Sequence, residues 1–370
     1  MEFRHGAVAA RGIMSMSDFW RNRRVFLTGH TGFKGSWLAL WLSHLGARTT
    51  GFALPPPTTP SMFELANVGA HLESVIGDIN DAGRLKQALQ AAQPEVVFHL
   101  AAQPLVRESY AQPAATFAAN VMGTVNLLEA VRETPSVRAV VVVTTDKCYD
   151  NREWVYGYRE TDPLGGHDPY SASKAAAEIA TNAWRSSFLD AAGVVVATAR
   201  AGNVIGGGDF APDRLLPDFV RAISRNAELE IRFPDAVRPW QFVLEPLRGY
   251  LELAERAVRR EPGIASAWNF GPDEGSVRTV RQVIERFAQA TAWREPPRVH
   301  FGAVTKQPHE ATLLKLDTSK ARARLAWEPR LDLDETLVLT AQWYRAWLER
   351  ADLRGVSQHQ LEQYLASAAR

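Results

Sequence analysis

The chain has 370 residues, and 42 basic against 41 acidic side chains leave no electrostatic footprint for nucleic acid or an anionic membrane surface. Cys148 is the single cysteine, which excludes an internal disulfide framework and a cysteine-rich metal site and suits a reducing compartment. No apolar run reaches the roughly 18 residues of a membrane span, and the N-terminal "MEFRHGAVAARGIMSMSDFW" lacks a secretory core, so a soluble cytoplasmic protein is predicted. Residues 1–20 read as a flexible leader, with Met14 and Met16 ahead of the first strand.

In chain order, "RRVFLTG" (23–29) predicts a strand, "SWLALWLSHLGA" (36–47) a helix stopped by Gly46, and "RTTGFAL" (48–54) a second strand. "LPPPTTP" (54–60) is a loop. A strand at 72–78, a helix at 82–93 and a strand at 94–102 follow, then a helix at 120–134 and the β-branched strand "VRAVVVVTTD" (137–146). A helix at 171–188 and a strand at 193–206 complete the alternation. Strands apolar on both faces, separated by helices, predict a doubly wound α/β fold with a parallel sheet. Its ligands belong at the carboxyl ends of the strands. Beyond residue 206 the alternation weakens, and amphipathic helices at 246–260, 279–292 and 334–350 suggest a smaller C-terminal substrate lobe. The predicted division is 21–205 with 238–272 for the nucleotide domain and 206–237 with 273–350 for the lobe. Residues 351–370 read as a tail.

Three stretches carry chemistry. In "FLTGHTGFKGSWL", Gly29, Gly32 and Gly35 lie between a strand and a helix. There they let a pyrophosphate approach backbone amides at a helix N-terminus. His30 and Lys34 interrupt that turn: the lysine could pair with a phosphate, and the histidine could crowd the adenosine end. The second strand ends without the acid that usually holds a ribose; Asp78, in "GDIND", is either an adenine contact or a helix cap. In "DPYSASKAAAE", Tyr170 and Lys174 are one helical turn apart, so an ammonium can favour the phenolate of a general base. In "VVVVTTDKCYDN", Thr144, Thr145, Asp146 and Lys147 bring hydroxyl, carboxyl and ammonium groups to a strand end, where they serve either chemistry or capping. Cys148 beside them reads as buried packing rather than a nucleophile.

Together these stretches resemble the extended short-chain dehydrogenase/reductase family, over roughly residues 23 to 350. "FHLAAQ" (98–103) and "NVMGT" (120–124) resemble that family's cofactor-flanking segments. "GHTGFKGSWL", "TTDKCYDN", "RAGNVIGGGDF" and "RPWQFVLEPLRGY" resemble the branch that acts on CDP-glucose. The branch acting on dTDP-glucose typically has Thr-Asp-Glu where this chain has Thr145-Asp146-Lys147. The resemblance implies a Rossmann-type sheet, NAD as cofactor, a CDP-glucose substrate, and a homodimer or dimer of dimers without metal, nucleic acid or membrane partners.

It assigns cofactor contacts to Gly29, His30, Gly32, Phe33, Lys34, Gly35, Asp78, Ile79, Leu100, Ala101, Ala102, Gln103, Asn120, Tyr170 and Lys174. Catalysis falls to Thr145, Asp146, Lys147, Tyr170 and Lys174. Asn203 and Arg238 are assigned to the diphosphate, with Arg214 either joining them or simply exposed. A lysine at 147 acts as a base only when neutral, which requires burial or a cationic neighbour; otherwise it orients water or substrate. The rival readings are a UDP-sugar 4-epimerase, which has no use for an elimination acid, another nucleotide-sugar dehydratase, and a redox-silent regulatory protein, which has no use for an intact Thr145, Tyr170 and Lys174.

Overall fold

The computed structural model describes residues 16–291, 293, 296–302 and 313–367. Seven parallel strands form the main sheet: β1 (Arg24–Thr28), β2 (Arg48–Ala53), β3 (Glu73–Ile76), β4 (Val96–His99), β5 (Ala139–Val143), β6 (Val195–Ala201) and the edge strand Ala267–Phe270. Their order is edge strand, β6, β5, β4, β1, β2, β3. The chain therefore runs outward from β1 through β2 to β3, then returns across β1 to β4. That reversal opens a crevice at the carboxyl ends of β1 and β4. The register Thr28↔His99 brings Gly29 level with Leu100 there.

Burial explains the sequence pattern. β5 is Ala-Val-Val-Val-Val and is buried throughout, as a central strand covered on both faces must be. The helix Phe33–His44 buries Trp37, Leu38, Leu40, Trp41 and Leu42, so it has almost no polar face. Strand β4 stops at His99 because the Thr28 hydroxyl accepts hydrogen bonds from the Leu100 and Ala101 amides, both at 3.2 Å. The strand expected over 193–206 breaks at Gly202, whose backbone passes so close to Asp146 that a Cβ would lie 2.7 Å from a carboxylate oxygen. Val204–Ile205 then pairs with Gln241–Phe242 outside the main sheet.

Three expectations change. Phe19 and Trp20, in the segment read as a leader, are buried, and the Trp20 ring lies 6.0 Å from that of Phe98. Residues 1–15 lie outside the described residues. The segment read as a tail contains a helix, Leu353–Ala366, whose Tyr364 packs edge-on against Trp41 at 5.8 Å and hydrogen-bonds Glu245 at 2.7 Å. The helical run Pro113–Arg132 is long and apolar enough to cross a membrane, yet 44% of its most apolar window is buried within the fold. Leu127, Leu128 and Val131 pack it against the sheet.

The C-terminal half supplies three short ladders: Val204–Ile205 with Gln241–Phe242, Val237–Pro239 with Val277–Thr279, and Leu229–Ile231 with Val299–Phe301. They stand over the carboxyl end of the main sheet and wall one side of a cleft of about 430 Å³.

Candidate active site

The glycine turn is dictated by close approach. Gly29 has φ +79°, and a Cβ there would lie 2.7 Å from the Ala101 amide nitrogen. A Cβ on Gly35 would lie 2.0 Å from the Gly29 carbonyl oxygen, so the helix can begin this near β1 only with glycine at both positions. Gly32 caps the helix without a side-chain hydrogen bond, so the first-turn amides face outward at the positive end of the helix dipole. This cradle fits a pyrophosphate.

The two basic residues of the turn have parted company. His30 is buried behind the turn, not over it. Its Nε2 lies 2.7 Å from the Ser74 hydroxyl, and its ring meets Phe63 edge-on at 5.4 Å. The space it fills belongs to Gly51, where a Cβ would lie 2.4 Å from the ring. Burial lowers its pKa to about 4, so it is neutral and brings no charge to the turn. The expectation that it crowds the adenosine end is corrected: a glycine on β2 makes room for it inside the sheet. Lys34 instead lines the cleft. Burial, then the Lys174 and Arg214 charges, lower its pKa to about 8.

Around the crevice, Asp78 forms a local turn, accepting from the Asn80 amide at 2.9 Å. The helix cap considered for it is Asp81, which accepts from Arg84 N at 3.0 Å, so Asp78 stays exposed at the end of β3. Ile79 is buried against Gly123. Asn120 lies on a π-helical turn, Ala118–Met122; its Oδ1 accepts from Gln103 N at 2.8 Å and its Nδ2 donates to Ser173 Oγ at 2.9 Å. It thereby ties the loop after β4, Leu100 through Ala102 and Gln103, to the helix carrying Tyr170.

That helix, Pro169–Trp184, is capped by Asp168, whose side chain accepts from Ser171 N at 2.9 Å, and it starts on a proline with preset φ. Tyr170 lies in its first turn and Lys174 one turn later, both buried. The Lys174 Nζ donates to the Val143 carbonyl at 3.1 Å; burial lowers its pKa to about 8, although the nearby Glu178 charge opposes this. Burial pushes the Tyr170 phenol up to about 12, against a hydrogen bond from Thr145 and the Arg214 charge. At neutral pH the phenol is therefore protonated.

At the end of β5, the Thr145 hydroxyl donates to Asp146 Oδ1 at 2.9 Å and accepts from the Lys147 amide at 3.4 Å. This single turn of 3₁₀ helix points Asp146 and Lys147 into the cleft. The capping reading holds, and the capping threonine is also the hydroxyl beside Tyr170. Cys148 is fully buried and burial raises its thiol pKa well above the usual range, which disposes of a nucleophile.

Phe33, Lys34, Thr145, Asp146, Lys147 and Tyr170 share the cleft with Asn203, Arg214 and Arg238. Arg238 is buried and donates to the Val237 carbonyl at 2.9 Å. Arg214, considered above as simply exposed, forms an ion pair with Asp209 at 2.6 Å, and its charge reaches Tyr170. Gly29, Gly32, Gly35, Asp78, Ile79, Leu100 to Gln103, Asn120 and Lys174 do not line this cleft. Sequence reading missed Arg107, Asp213 and Arg232, which also line the cleft and form an ion triad with N···O distances of 3.3 and 3.0 Å. It missed as well the buried Glu178–Arg200 pair beneath the site. Glu178 lies one further turn along from Lys174, a spacing that could have drawn attention to it.

A doubly wound sheet with a glycine turn at its switch point, and Thr145, Tyr170 and Lys174 beside it, is the architecture of the extended short-chain dehydrogenases/reductases. The chain belongs to one family among them, the GDP-mannose 4,6 dehydratase family, which matches residues 26–340. It is 48% identical over 358 residues to CDP-glucose 4,6-dehydratase of Salmonella typhimurium, an alignment covering 95% of this chain and 99% of that one. MoeE5, solved in complex with UDP-glucose and NAD, is 27% identical with a TM-score of 0.72, covering 88% of this chain and 99% of that one. A dTDP-glucose 4,6-dehydratase from Streptomyces venezuelae, solved with NAD, shares the fold with a TM-score of 0.75 at 24% identity, covering 90% and 99%.

Proposed function

We propose that this chain is an NAD-dependent hydro-lyase converting CDP-D-glucose to CDP-4-keto-6-deoxy-D-glucose. The observation that carries this reading is Asp146: a carboxyl group hydrogen-bonded to Thr145, beside Tyr170 in one cleft, in a chain 48% identical to a CDP-glucose 4,6-dehydratase. A 4-epimerase has no need of that acid.

The turn at Gly29, Gly32 and Gly35, with the amides of Phe33 and Lys34, would hold the NAD pyrophosphate, and Asp78 and Ile79 its adenosine end. When bound, NAD would supply the acceptor for the hydride leaving C4, the donor of that hydride to C6, and a positive charge that favours the Tyr170 phenolate. Tyr170 removes the 4-hydroxyl proton, and Thr145 donates a hydrogen bond to the same oxygen. The Lys174 ammonium lowers the cost of the phenolate. The 4-keto group acidifies C5–H; a water oriented by Lys147 takes that proton while Asp146 gives its own to the departing 6-hydroxyl, so that water leaves across C5–C6, and C5 regains a proton when hydride reaches C6. Lys147 lines the same cleft and orients the substrate at C5 and C6. Asn203, Arg214 and Arg238 hold the diphosphate, for which guanidinium forks are suited.

The assembly is a homodimer and the enzyme cytoplasmic. Phe117, Met122, Ile179 and Phe188, on the helical segments Pro113–Arg132 and Pro169–Leu189, are 39–60% exposed; an apolar face of this kind supports pairing of two copies.

The test is CDP-glucose carrying deuterium at C4. Product with the label at C6 is the expected result; label lost to solvent or retained at C4 would refute internal return of hydride.

A further inference from the structure

Beneath the cleft lies a buried polar knot that the reaction scheme does not use. The Glu178 carboxylate accepts four hydrogen bonds: from Thr144 Oγ1 at 2.5 Å and Arg200 Nε at 2.9 Å on one oxygen, and from Thr198 Oγ1 at 2.7 Å and Arg200 Nη2 at 2.9 Å on the other. Glu178 and Arg200 side chains are 3% and 4% exposed. The Arg200 Nη1 donates onward to the Tyr149 hydroxyl at 2.8 Å, which itself donates to Asn269 Oδ1 at 2.8 Å. Every group in the chain from Thr144 to Asn269 is thus satisfied and fixed in place.

Its position relative to the chemistry is the point. Glu178 lies one turn beyond Lys174 and two beyond Tyr170 on a single helix. Lys174 holds the Val143 carbonyl while Glu178 holds the Thr144 hydroxyl. Two consecutive residues at the end of β5 are therefore clamped to two consecutive turns of the catalytic helix. The next two residues of the strand end are Thr145 and Asp146.

We propose that Glu178 is a positioning residue: by holding Thr144, it fixes the Thr145–Asp146 turn against the Tyr170 helix. This rests on the assignment of Thr145, Asp146 and Tyr170 to catalysis. Without the clamp the turn keeps its backbone pairing, Thr144 N to Ala199 O at 2.9 Å, but loses the tie that orients it toward the phenol.

Thr144 and Thr198 provide a matched test, since both are buried and each gives one hydroxyl to the same carboxylate, but only Thr144 belongs to the catalytic turn. Valine at either position keeps the shape and removes the hydrogen bond. Thr144→Val should lower kcat about tenfold or more, as small misplacements of catalytic groups do, with KM held within about twofold. Thr144→Ser should restore kcat. Thr198→Val should keep kcat within about twofold while losing as much thermal stability as Thr144→Val. Equal kcat losses in the two valine variants, or full turnover in Thr144→Val, would overturn the positioning role. Turnover retained by Tyr170→Phe would instead overturn the catalytic assignment, so the two failures are separable.

Discussion

His30 and Gly51 form a pair whose energetics follow from one distance. A Cβ on Gly51 would lie 2.4 Å from the His30 ring, well inside van der Waals contact and against a ring held by Ser74 and Phe63. Gly51→Ala should therefore destabilise the fold by about 1–3 kcal/mol, the usual cost of overpacking. His30→Ala removes a buried ring and its hydrogen bond, and should cost about 2–4 kcal/mol through the void it leaves. In the double variant the new methyl enters that void, so its cost should not exceed that of His30→Ala. The coupling between the two sites is then about 1–3 kcal/mol. Urea unfolding followed by tryptophan fluorescence measures all four corners of the cycle. Additive losses, or a neutral Gly51→Ala, would refute the placement of His30 behind the turn.

Acid should destabilise the protein through two buried histidines. Burial holds His30 near pKa 4 and His99 near 3, below their unfolded value of 6.5, so the folded state binds fewer protons. Stability is full above pH 6.5 and falls by up to about 1.4 kcal/mol per pH unit per histidine as the pH drops toward 4. Unfolding midpoints between pH 7 and 4.5 should show this slope, shallower in His30→Ala; an unchanged slope would assign the acid sensitivity elsewhere. Tyr170→Phe should fold normally and lose turnover by about 10² or more in a steady-state assay. Asp146→Asn should still oxidise C4 but release water slowly, so reduced-nicotinamide absorbance should accumulate after substrate is mixed with the NAD-loaded variant. Failure to reduce the cofactor at all would move Asp146 to the first step or to binding.

Much of this site was legible because its signals are local. Glycines between a strand and a helix, a Tyr–Lys pair at one helical turn, and a polar cluster at a strand end each lie within a dozen residues, and the alternation of elements shows which ends meet. What was hidden depends on contacts distant in sequence. The side to which His30 turns is set by Gly51 and Ser74, on two later strands. That Arg214 is not a free surface arginine follows only from its ion pair with Asp209 at 2.6 Å. Glu178 looks like an ordinary helix-surface acid until Arg200 on β6 lies across it. The leader and tail misread for a related reason: the segments Met16–Trp20 and Leu353–Ala366 are short or polar-rich, and each is ordered by a few buried side chains, Phe19 and Trp20 in the first and Leu353, Leu361 and Tyr364 in the second.

The central claim is a dehydration confined to one nucleotide sugar. Purified protein supplied with NAD and, separately, with CDP-, UDP-, GDP- and dTDP-glucose should yield a 4-keto-6-deoxy sugar, read by its absorbance in base, from CDP-glucose well ahead of the other three. A C4-epimerised hexose as the product, or equal dehydration of all four sugars, would contradict it.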